Sequence, residues 1–562
     1  MIKKLYMRYL TLLFVLVTPF LSQCQNASDA PYDVVVYGGT PGGIIAAVSA
    51  AREGAKVLLI EQTKHVGGLS TSGIGTAETE HMIEETFSGL ALEFYQRLGR
   101  YYLKTLPKPE EYPSPFRPTS KIYGENRPVA FFESKQAEKT YLDMLKEAKV
   151  AVLYERFVEN VTKKGTAIES IKLDDGRTVA GKAFIDASYE GDLMAKSGVS
   201  YTYGRESKDQ YGESLAGVRF IDEPIDASPY DDNGKLLPGF VERSTLTEGQ
   251  ADKRVINYNF RLNFTKKPDR TPFAKPANYR PDRYILLTRL LKNKPETKLE
   301  DIIDLYKWRS WSGTFETNNK QKSVISLGHF GGNVDYPDGD YAQRKAIYQD
   351  HKDWTMGLMY YLANDPAVPE KLRAETNEYG LAADEFTDNG NFPYYLYVRE
   401  ARRMVGAFVH TQKDILVDRT KPDVICLGSH WIDSHHVQRV AVSKTQFVNE
   451  GRIWEPIAKP YQISYRIITP KEEQCTNLLV PVCASTSHVG FCSIRLECTW
   501  MQLGESAGLA AVMAGKQGLP VQKINVKNLQ DALVKRGMII DLNHQVWDGM
   551  RDIPKTTQLL SK

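Results

Sequence analysis

The chain has 562 residues, of which 42% are hydrophobic, 10% aromatic and 25% charged, and its net charge is +3. This length and composition predict roughly two to four folded domains, and they exclude a small disulfide-stapled scaffold and wholesale disorder. Three basic residues, Lys3, Lys4 and Arg8, precede Cys24 and no acid does, so the remaining chain is neutral. Nucleic-acid binding through phosphates therefore has little support, and a small-molecule substrate is expected.

The first residues are typical of an export signal. A basic start is followed by the apolar stretch Tyr9–Leu21, which is shorter than the roughly 20 residues that a helix needs to cross about 30 Å of hydrocarbon. We therefore predict a signal peptide over residues 1–24 and an exported protein, located in the periplasm or anchored to a membrane as a lipoprotein. The segment Leu21-Ser22-Gln23-Cys24 resembles a bacterial lipoprotein box, which implies a lipid anchor at Cys24. Simple cleavage nearby and an uncleaved signal helix are the alternatives.

The other cysteines show no metal-binding or disulfide-framework spacing, because no CxxC pair occurs among them. No metal site is predicted. Buried free thiols are the favoured interpretation, and one disulfide in an oxidising compartment is the alternative. That disulfide would join two of Cys483, Cys492 and Cys498.

A strand, a glycine turn, a helix and a second strand are predicted near the start of the folded chain. The apolar run Asp33–Tyr37 predicts a strand covered on both faces, and the Ala-rich stretch Ile44–Glu53 predicts a helix that ends before Gly54. The second strand is predicted over Lys56–Glu61. Together these elements have the size of a dinucleotide-binding unit, which takes about 30 residues.

The turn between the first strand and the helix predicts diphosphate binding. Glycines let a diphosphate approach the N–H groups and the positive dipole end of the helix. Thr40 stands where the middle glycine is usual, and its hydroxyl is expected to contact phosphate. Glu61 is placed to accept from a ribose hydroxyl and to repel the 2′-phosphate of NADP. A second glycine-rich loop, His65–Gly75, favours FAD over NAD. From both loops we predict cofactor contacts by Gly38, Gly39, Thr40, Pro41, Gly42, Gly43, Glu61, Gly67, Gly68, Ser72 and Gly73.

With these two loops the chain resembles the bacterial FAD-dependent oxidoreductase family within the glutathione-reductase-like flavoproteins, whose members are sometimes labelled xanthan lyase. Two further blocks carry the resemblance: a β-meander within 151–207 that leads into the segment Asp186–Asp192, and the segment Asn477–Ala511. The resemblance implies an α/β fold, with a FAD-binding Rossmann-like domain of the glutathione-reductase type and an inserted α+β substrate domain. It implies non-covalent FAD and a last helix, including Met501–Ala511, whose N-terminus faces the flavin. It adds cofactor contacts by Val158, Ala187, Gly191, Asp192, Gly504, Ser506 and Ala507.

The domain organisation follows from these blocks and from a change in composition. Tyr, Trp, Asn, Asp and Pro become frequent between about 200 and 420, and the alternation of strands and helices disappears. Gly504 and Gly508 are expected to pack the last helix closely against the sheet. The predicted divisions are a signal peptide at 1–24, a FAD-binding domain at 31–200 and 421–525, a substrate domain at 201–420, and a helical tail at 526–562.

Candidate catalytic residues lie in the flavin-associated blocks. Transfer of a hydride to flavin needs a base for the accompanying proton. His488 is the first candidate base, His435 and His436 form a second pair, and Arg495 is expected to orient an anionic or polar substrate; a structural role is the alternative for each histidine. The expected reaction is hydride transfer between FAD and a small organic substrate, a sugar or sugar acid. A redox-neutral lyase or isomerase and a flavin electron carrier are the alternatives; the electron acceptor and the oligomeric state are left open.

Overall fold

The structure, a computed structural model, describes residues 31–75, 82–83, 86–106, 131–307 and 310–542. The predicted signal peptide, the lipid-anchor position Cys24 and most of the predicted helical tail lie outside these ranges. Within them, no helix combines the length and the apolar character that a bilayer crossing requires. The same residues contain no cluster of three or more side chains that could hold a metal ion.

The first part of the chain builds most of a central sheet and the helices against it. Its strands are β1 (Tyr32–Tyr37), β2 (Val57–Ile60), β3 (Ala151–Leu153), β4 (Val158–Lys164), β5 (Ala167–Leu173) and β6 (Thr178–Asp186). Its helices are α1 (Pro41–Arg52), α2 (Gly89–Thr105), α3 (Ser134–Glu147) and α4 (Asp192–Lys196). The predicted strand–turn–helix–strand unit is confirmed within a few residues at each boundary.

The middle segment, residues 201–420, forms antiparallel pairs and helices. Its strands are β7 (Tyr201–Thr202), β8 (Phe240–Glu242), β9 (Asn263–Thr265), β10 (Ile303–Tyr306), β11 (Thr314–Asn319), β12 (Gly380–Leu381) and β13 (Arg403–Met404). Its helices are α5 (Lys208–Tyr211), α6 (Ile285–Asn293), α7 (Tyr341–Asn364), α8 (Glu370–Asn377) and α9 (Gln412–Leu416). Strands β10, β11, β9 and β12 pair in that order in one sheet.

The last part of the chain returns to the central sheet. Its strands are β14 (Val424–Gly428), β15 (Ile432–Asp433), β16 (Gln438–Ala441), β17 (Phe447–Glu450), β18 (Trp454–Glu455), β19 (Tyr461–Ser464) and β20 (Leu478–Leu479). Its helices are α10 (His488–Ile494), α11 (Glu497–Gln517) and α12 (Val526–Lys535). Strand β8 of the middle segment pairs with β16, so hydrogen bonds cross the division predicted at residue 420.

The central sheet has seven strands in the order β3-β2-β1-β6-β5-β4, with β20 also paired to β6. Strands β3, β2, β1, β6 and β20 are parallel, and β4, β5 and β6 form the predicted antiparallel meander. Val34 and Val36 join a core with α1 and α11, whereas Val35 and Tyr37 join a core with the meander. Because successive strand residues point to opposite faces, β1 is buried on both sides. The core is therefore mixed α/β with a Rossmann-like parallel sheet.

Helix α11 packs against α1 at backbone contact. A Cβ at Gly504 would lie 2.0 Å from the carbonyl oxygen of Gly42, and one at Gly508 would lie 2.2 Å from that of Ala46. The two glycines were expected to pack this helix closely against the sheet. That expectation was wrong, because the backbone that both glycines approach most closely belongs to α1. Only residues without a side chain allow this approach, since a methyl group would overlap the carbonyl oxygens.

Candidate active site

The glycine turn after β1 is fixed by close backbone contacts. Gly38 has a φ of +100°, and a Cβ there would lie 2.6 Å from the amide nitrogen of Ser188. A Cβ at Gly43 would lie 1.9 Å from the carbonyl oxygen of Gly38. The turn therefore requires glycine at both positions. It places the N-terminus of α1, where Pro41 is the first helical residue, at the carboxyl end of β1.

Thr40 caps α1 and uses its hydroxyl within the protein. Its Oγ1 accepts from the amide of Gly43 at 3.2 Å and donates to the carbonyl of Ala187 at 2.8 Å. A hydroxyl has one proton to donate, and the carbonyl of Ala187 receives it here, which disfavours the predicted contact of Thr40 with a phosphate. The backbone amides of the turn remain as the donors for a phosphate at this helix end.

Glu61 follows β2 and is buried, with 2% of its surface exposed. Its Oε2 accepts from the amide of Gly39 at 2.7 Å, and its Oε1 accepts from the amide of Thr63 at 2.7 Å and from the phenol of Tyr395. Burial raises the pKa of Glu61, and these three donors oppose the rise. A carboxylate has about four acceptor positions, so Oε2 keeps capacity for a ribose hydroxyl.

The second glycine loop lies against Tyr189 and the middle segment. A Cβ at Gly68 would lie 2.2 Å from the phenol oxygen of Tyr189, and one at Gly73 would lie 1.8 Å from the carbonyl oxygen of Arg261. The amide of Gly67 donates to the carbonyl of Gly39 at 2.7 Å, which joins the two glycine loops. The side chain of Ser72 accepts from the amide of Tyr395 at 2.7 Å.

The segment after β6 returns to the first glycine turn but is held mainly by protein contacts. Gly191 has a φ of +69°, and a Cβ there would lie 2.7 Å from the Cε of Met194. Asp192, predicted as a cofactor contact, is buried and pairs with Arg344 at 2.7 Å and with Arg402 at 2.8 Å. Both arginines come from the middle segment, so the Asp192 carboxylate joins that segment to the Rossmann-like core.

Other predicted cofactor contacts also have structural roles. Val158 is fully buried, and its carbonyl accepts from the phenol of Tyr341 at 2.9 Å. Gly504 lies seven residues after the start of α11, or roughly 10 Å at 1.5 Å per residue, so it is far from the positive end of the helix. Ser506 donates to the carbonyl of Gln502 at 3.0 Å, and Ala507 is fully buried. These contacts favour packing, not cofactor binding, at Val158, Gly504, Ser506 and Ala507.

The N-terminal end of α11 contributes two residues that the sequence did not single out. Glu497 accepts from the phenol of Tyr189 at 2.6 Å, and Tyr189 in turn accepts from the amide of Leu69 at 3.0 Å. The carbonyl oxygen of Trp500 lies 3.0 Å from where a Cβ of Gly42 would be. The start of α11 therefore lies close to both glycine loops, and the position of its N-terminus opposite the flavin stays a prediction.

A polar cavity of about 170 Å³ lies between the middle segment and the returning part of the chain. It combines two arginines, two histidines and two aspartates with amides and aromatic rings. One of its residues, Arg261, carries the carbonyl that Gly73 of the second glycine loop approaches. The lining residues are Arg261, Asp304, Tyr306, Asn318, Asn319, Gln321, His430, Asp433, His435, Arg452 and Trp454.

His435 lines this cavity, and one of its ring nitrogens is buried without a hydrogen-bond partner among the described residues. The residue is 5% exposed, and its Nδ1 has no hydrogen-bond partner among the described residues. Burial, and then the charges of Arg399, Arg495 and Arg261, hold the pKa of His435 well below its usual range. The imidazole is therefore neutral at neutral pH, which is the form that can accept a proton.

Arg495 contacts the cavity residue Asp433 but does not itself line the cavity. Its Nη1 donates to the phenol of Tyr397 at 3.2 Å, and its Nη2 donates to the carbonyl of Asp433 at 2.9 Å. Asp433 lines the cavity, and Arg495 is one of the cations that act on His435. The structure thus brings together His435 and Arg495 from the predicted catalytic set.

His488 belongs to a separate buried ion network. Its Nδ1 lies 2.9 Å from a carboxylate oxygen of Glu400, which also pairs with Arg403, and its amide donates to Glu206 at 2.8 Å. Burial opposes the charged form, but the Glu400 carboxylate outweighs it and raises the pKa of His488 to about 10. A histidine that is protonated at neutral pH cannot take a proton, so these surroundings favour the structural role of His488 over the role of base.

His436 is also disfavoured as the base, because it is engaged with Asp222 outside the cavity. Its Nε2 lies 2.5 Å from Oδ2 of Asp222, and its carbonyl accepts from the amide of Asn257 at 3.1 Å. The residue is fully buried and is not among the cavity-lining side chains. The adjacent histidines 435 and 436 therefore have different surroundings, which a sequence pair cannot distinguish.

All five cysteines within the described residues are free and buried. Burial raises the pKa of Cys426, Cys483 and Cys498, which keeps these thiols protonated. The interpretation as buried free thiols is confirmed for this part of the chain. The alternative of a disulfide among Cys483, Cys492 and Cys498 was wrong.

Comparison with known proteins supports the resemblance at the level of the family. Residues 33–533 match the model of the family described as FAD dependent oxidoreductase. No curated protein has significant similarity to this chain. The glutathione-reductase type and the xanthan lyase label stay predictions.

Solved structures of flavin enzymes show local similarity. Thioredoxin reductase from Lactococcus lactis is 20% identical over 28% of this chain and 35% of that chain, with a TM-score of 0.17. The myxobacterial FAD-dependent halogenase CndH is 20% identical over 31% of this chain and 41% of that chain, with a TM-score of 0.23. L-proline dehydrogenase from P. horikoshii is 14% identical over 32% of this chain and 58% of that chain, with a TM-score of 0.22. The chain spans less than two thirds of each, and similarity this low supports no argument about activity.

Proposed function

We propose that this chain, which belongs to the FAD dependent oxidoreductase family, oxidises a small polar organic substrate, a sugar or sugar acid, by hydride transfer to non-covalently bound FAD. The observation that carries the proposal is the polar cavity beside His435, because its residue Arg261 also packs against Gly73 of the second glycine loop. One residue of the cavity wall thereby contacts a loop that we assign to the cofactor.

The residues of the two glycine loops fit a bound FAD. Gly38 and Gly43 of the first turn have no room for a side chain, and the turn leads into the N-terminus of α1, which suits a diphosphate. Glu61 keeps acceptor capacity on Oε2 for the adenosine ribose. The loop Gly67–Gly73 is joined to the first turn by the Gly67 amide, and its Gly73 contacts the cavity residue Arg261. When bound, FAD supplies the hydride acceptor, and the protein supplies position, charge and proton transfer.

His435 is the base in this proposal. A substrate hydroxyl or amine must lose a proton as its C–H bond gives up a hydride, and a positioned neutral imidazole can take it. Arg495 positions Asp433 and contributes to the field around His435. The amide side chains and aromatic rings of the cavity wall suit the hydroxyl groups and apolar faces of a sugar-like ligand.

Anaerobic reduction of the purified flavoprotein tests the reaction class. The visible spectrum is followed while sugars and sugar acids are added, and bleaching of the flavin band is the expected result. Turnover without bleaching would favour the lyase or isomerase alternative, and bleaching only by a partner protein would favour the electron carrier. A correctly folded protein that is colourless and does not take up added FAD would overturn the proposal.

A pair of histidine variants tests the base. His435→Asn should slow flavin reduction about 100-fold or more while FAD stays bound, because general-base catalysis contributes roughly that much. His436→Asn is the matched variant at the next position, and it should reduce flavin within a few-fold of the wild-type rate. Equal rates in both variants would remove His435 from this role.

Export and lipidation at Cys24 are proposals from the sequence of residues 1–24. They are tested by expressing the full chain and a Cys24→Ser variant in a bacterium fed labelled palmitate. Label in the wild-type protein alone would support the lipoprotein. An unlabelled protein whose N-terminus begins near residue 25 would support simple cleavage.

A further inference from the structure

Arg452 stands out among the charged residues of the cavity wall. Its Nε is buried and has no hydrogen-bond partner among the described residues. The oxygen of Asp222 nearest to its Nη1 is 3.8 Å away, which is beyond hydrogen-bond distance. Its guanidinium lies 4.8 Å from the ring centroid of Trp454, so the aromatic face supports it. A fork of N–H groups on a partly buried cavity wall is suited to a carboxylate, which accepts two parallel hydrogen bonds.

The acids around the cavity already have cationic partners. Asp304 pairs with Lys320 at 2.9 Å, and Asp433 lies 3.7 Å from Nη2 of Arg495. Asp222, the carboxylate nearest to Arg452, directs its other oxygen to His436 at 2.5 Å. Arg452 is thus a cavity cation whose neighbouring carboxylate, Asp222, lies 3.8 Å away and is hydrogen-bonded to His436, so a bound carboxylate would give its guanidinium direct hydrogen bonds.

We propose that the cavity binds a substrate that carries a carboxylate, a sugar acid or another small hydroxy acid, with the carboxylate on the guanidinium fork of Arg452 and the reacting hydroxyl at His435. This inference rests on the proposed function and narrows its substrate class. The C–H bond of the carbinol breaks with its electron pair going to FAD, the O–H proton goes to the imidazole of His435, and the carbinol becomes a carbonyl. The two electrons that the substrate loses are thus accepted by FAD.

The field around His435 gives the carboxylate a second role. The charges that act on this imidazole are those of Arg399, Arg495 and Arg261, together with His436, and all of them disfavour its protonation. An anion bound in the same cavity opposes this field and raises the pKa of His435 toward the range in which a histidine is an effective base. A neutral sugar lacks this effect, so it would bind beside a weaker base.

Binding to the FAD-loaded protein tests the inference without relying on turnover. Titration calorimetry and the change in the flavin spectrum are measured with D-glucuronate, D-gluconate and glycolate, and in parallel with D-glucose as the neutral counterpart. The variants are Arg452→Gln and, as a matched control, Arg466→Gln, because Arg466 also pairs with an aspartate and stacks on an aromatic ring but is not a cavity residue.

At least one of the carboxylates should bind the wild-type protein, and its affinity should fall tenfold or more in Arg452→Gln and remain unchanged in Arg466→Gln. The affinity should also fall with rising salt, since the contact is ionic. Equal binding of that carboxylate to both variants, or binding of D-glucose with no carboxylate bound, overturns the inference. If neutral sugars bleach the flavin at equal rates in wild type and Arg452→Gln, the substrate class is wrong and the proposed function stands. If no carboxylate binds and no compound bleaches the flavin, both fail.

Discussion

The phenol of Tyr395 donates a hydrogen bond to Oε1 of Glu61, although 334 positions separate the two residues in the chain. Tyr395 belongs to the middle segment, and Glu61 follows the second strand of the Rossmann-like core. The same tyrosine donates its amide to the side chain of Ser72 at 2.7 Å. The middle segment therefore touches the predicted ribose acceptor and the second glycine loop through one residue.

Replacement of Tyr395 by Phe should weaken FAD binding by roughly tenfold, since a lost hydrogen bond to a buried charged group costs about 1.5–3 kcal/mol and part of this loss is offset when the ribose is bound. Without the phenol, burial raises the pKa of Glu61 further, so affinity should decline at a higher pH than in the wild type as the solution is acidified. FAD titration of the apoprotein, followed by fluorescence between pH 5 and 8, measures both effects.

Tyr394→Phe is the control for that experiment. The phenol of Tyr394 donates to Asp388 at 2.7 Å, and its ring stacks on that of His65 with 3.6 Å between the centroids. The variant therefore removes a phenol that is next to Tyr395 in the chain but does not bond to Glu61. It should leave FAD affinity within about twofold of the wild type. Identical affinities and pH profiles for all three proteins would show that Tyr395 has no part in holding the cofactor.

Gly504→Ala should destabilise the protein by about 1–3 kcal/mol or more, because the new methyl group would lie 2.0 Å from the carbonyl oxygen of Gly42. The displacement of α1 should also loosen the glycine turn and release FAD more readily. Thermal unfolding with flavin fluorescence as the second signal measures both.

Gly515→Ala in the same helix is the matched comparison. Its methyl group would lie 4.0 Å from the Cβ of Lys182, so this change should be neutral or stabilising by up to about 1 kcal/mol from helix propensity. Similar losses of stability in both variants would mean that helix propensity or a general effect of the helix, and not the α1–α11 contact, governs the result.

The ion pair of His488 with Glu400 should make stability fall at alkaline pH. The pKa of His488 is about 10 in the folded protein and near 6.5 when the chain is unfolded. Its contribution is therefore complete below about pH 6.5 and decreases as the pH rises through about 10. Urea unfolding at pH 7 and pH 9.5 should show this loss in the wild type.

The variant His488→Gln should be less stable at pH 7 but should lose less stability between pH 7 and pH 9.5 than the wild type does. Glu400→Gln provides a second route, since it removes the partner that holds the proton on His488. An alkaline loss of the same size in all three proteins would contradict the assignment of His488 as a buried cation.

The buried thiols should be unreactive in the native protein. Five cysteines lie within the described residues, all free and buried. Titration with a thiol reagent should show no fast reaction before unfolding and at least five reactive thiols in denaturant without a reductant. Fewer than five thiols after unfolding would reveal a disulfide that the structure does not contain.

Local sequence patterns predicted the dinucleotide unit well because its parts are neighbours in the chain. The strand, the turn and the helix between Tyr32 and Arg52 are fixed by burial periodicity, by glycines at tight backbone contacts and by the cap at Thr40. Local patterns did not predict that the Thr40 hydroxyl donates to the carbonyl of Ala187, which follows β6 and is distant in the chain.

Sequence alone thus predicted the Rossmann-like core and its two glycine loops, but not the residues that contact these loops from distant parts of the chain. Only the tertiary structure showed that His435 and His488 have opposite electrostatic surroundings, because the carboxylate beside His488 and the arginines around His435 come from distant parts of the chain. It likewise decided that Arg452 and His435 share a cavity with Arg261. The physical reason is that the charge state of a buried group depends on its neighbours in space, and chain folding brings those neighbours together without a repeating pattern along the sequence.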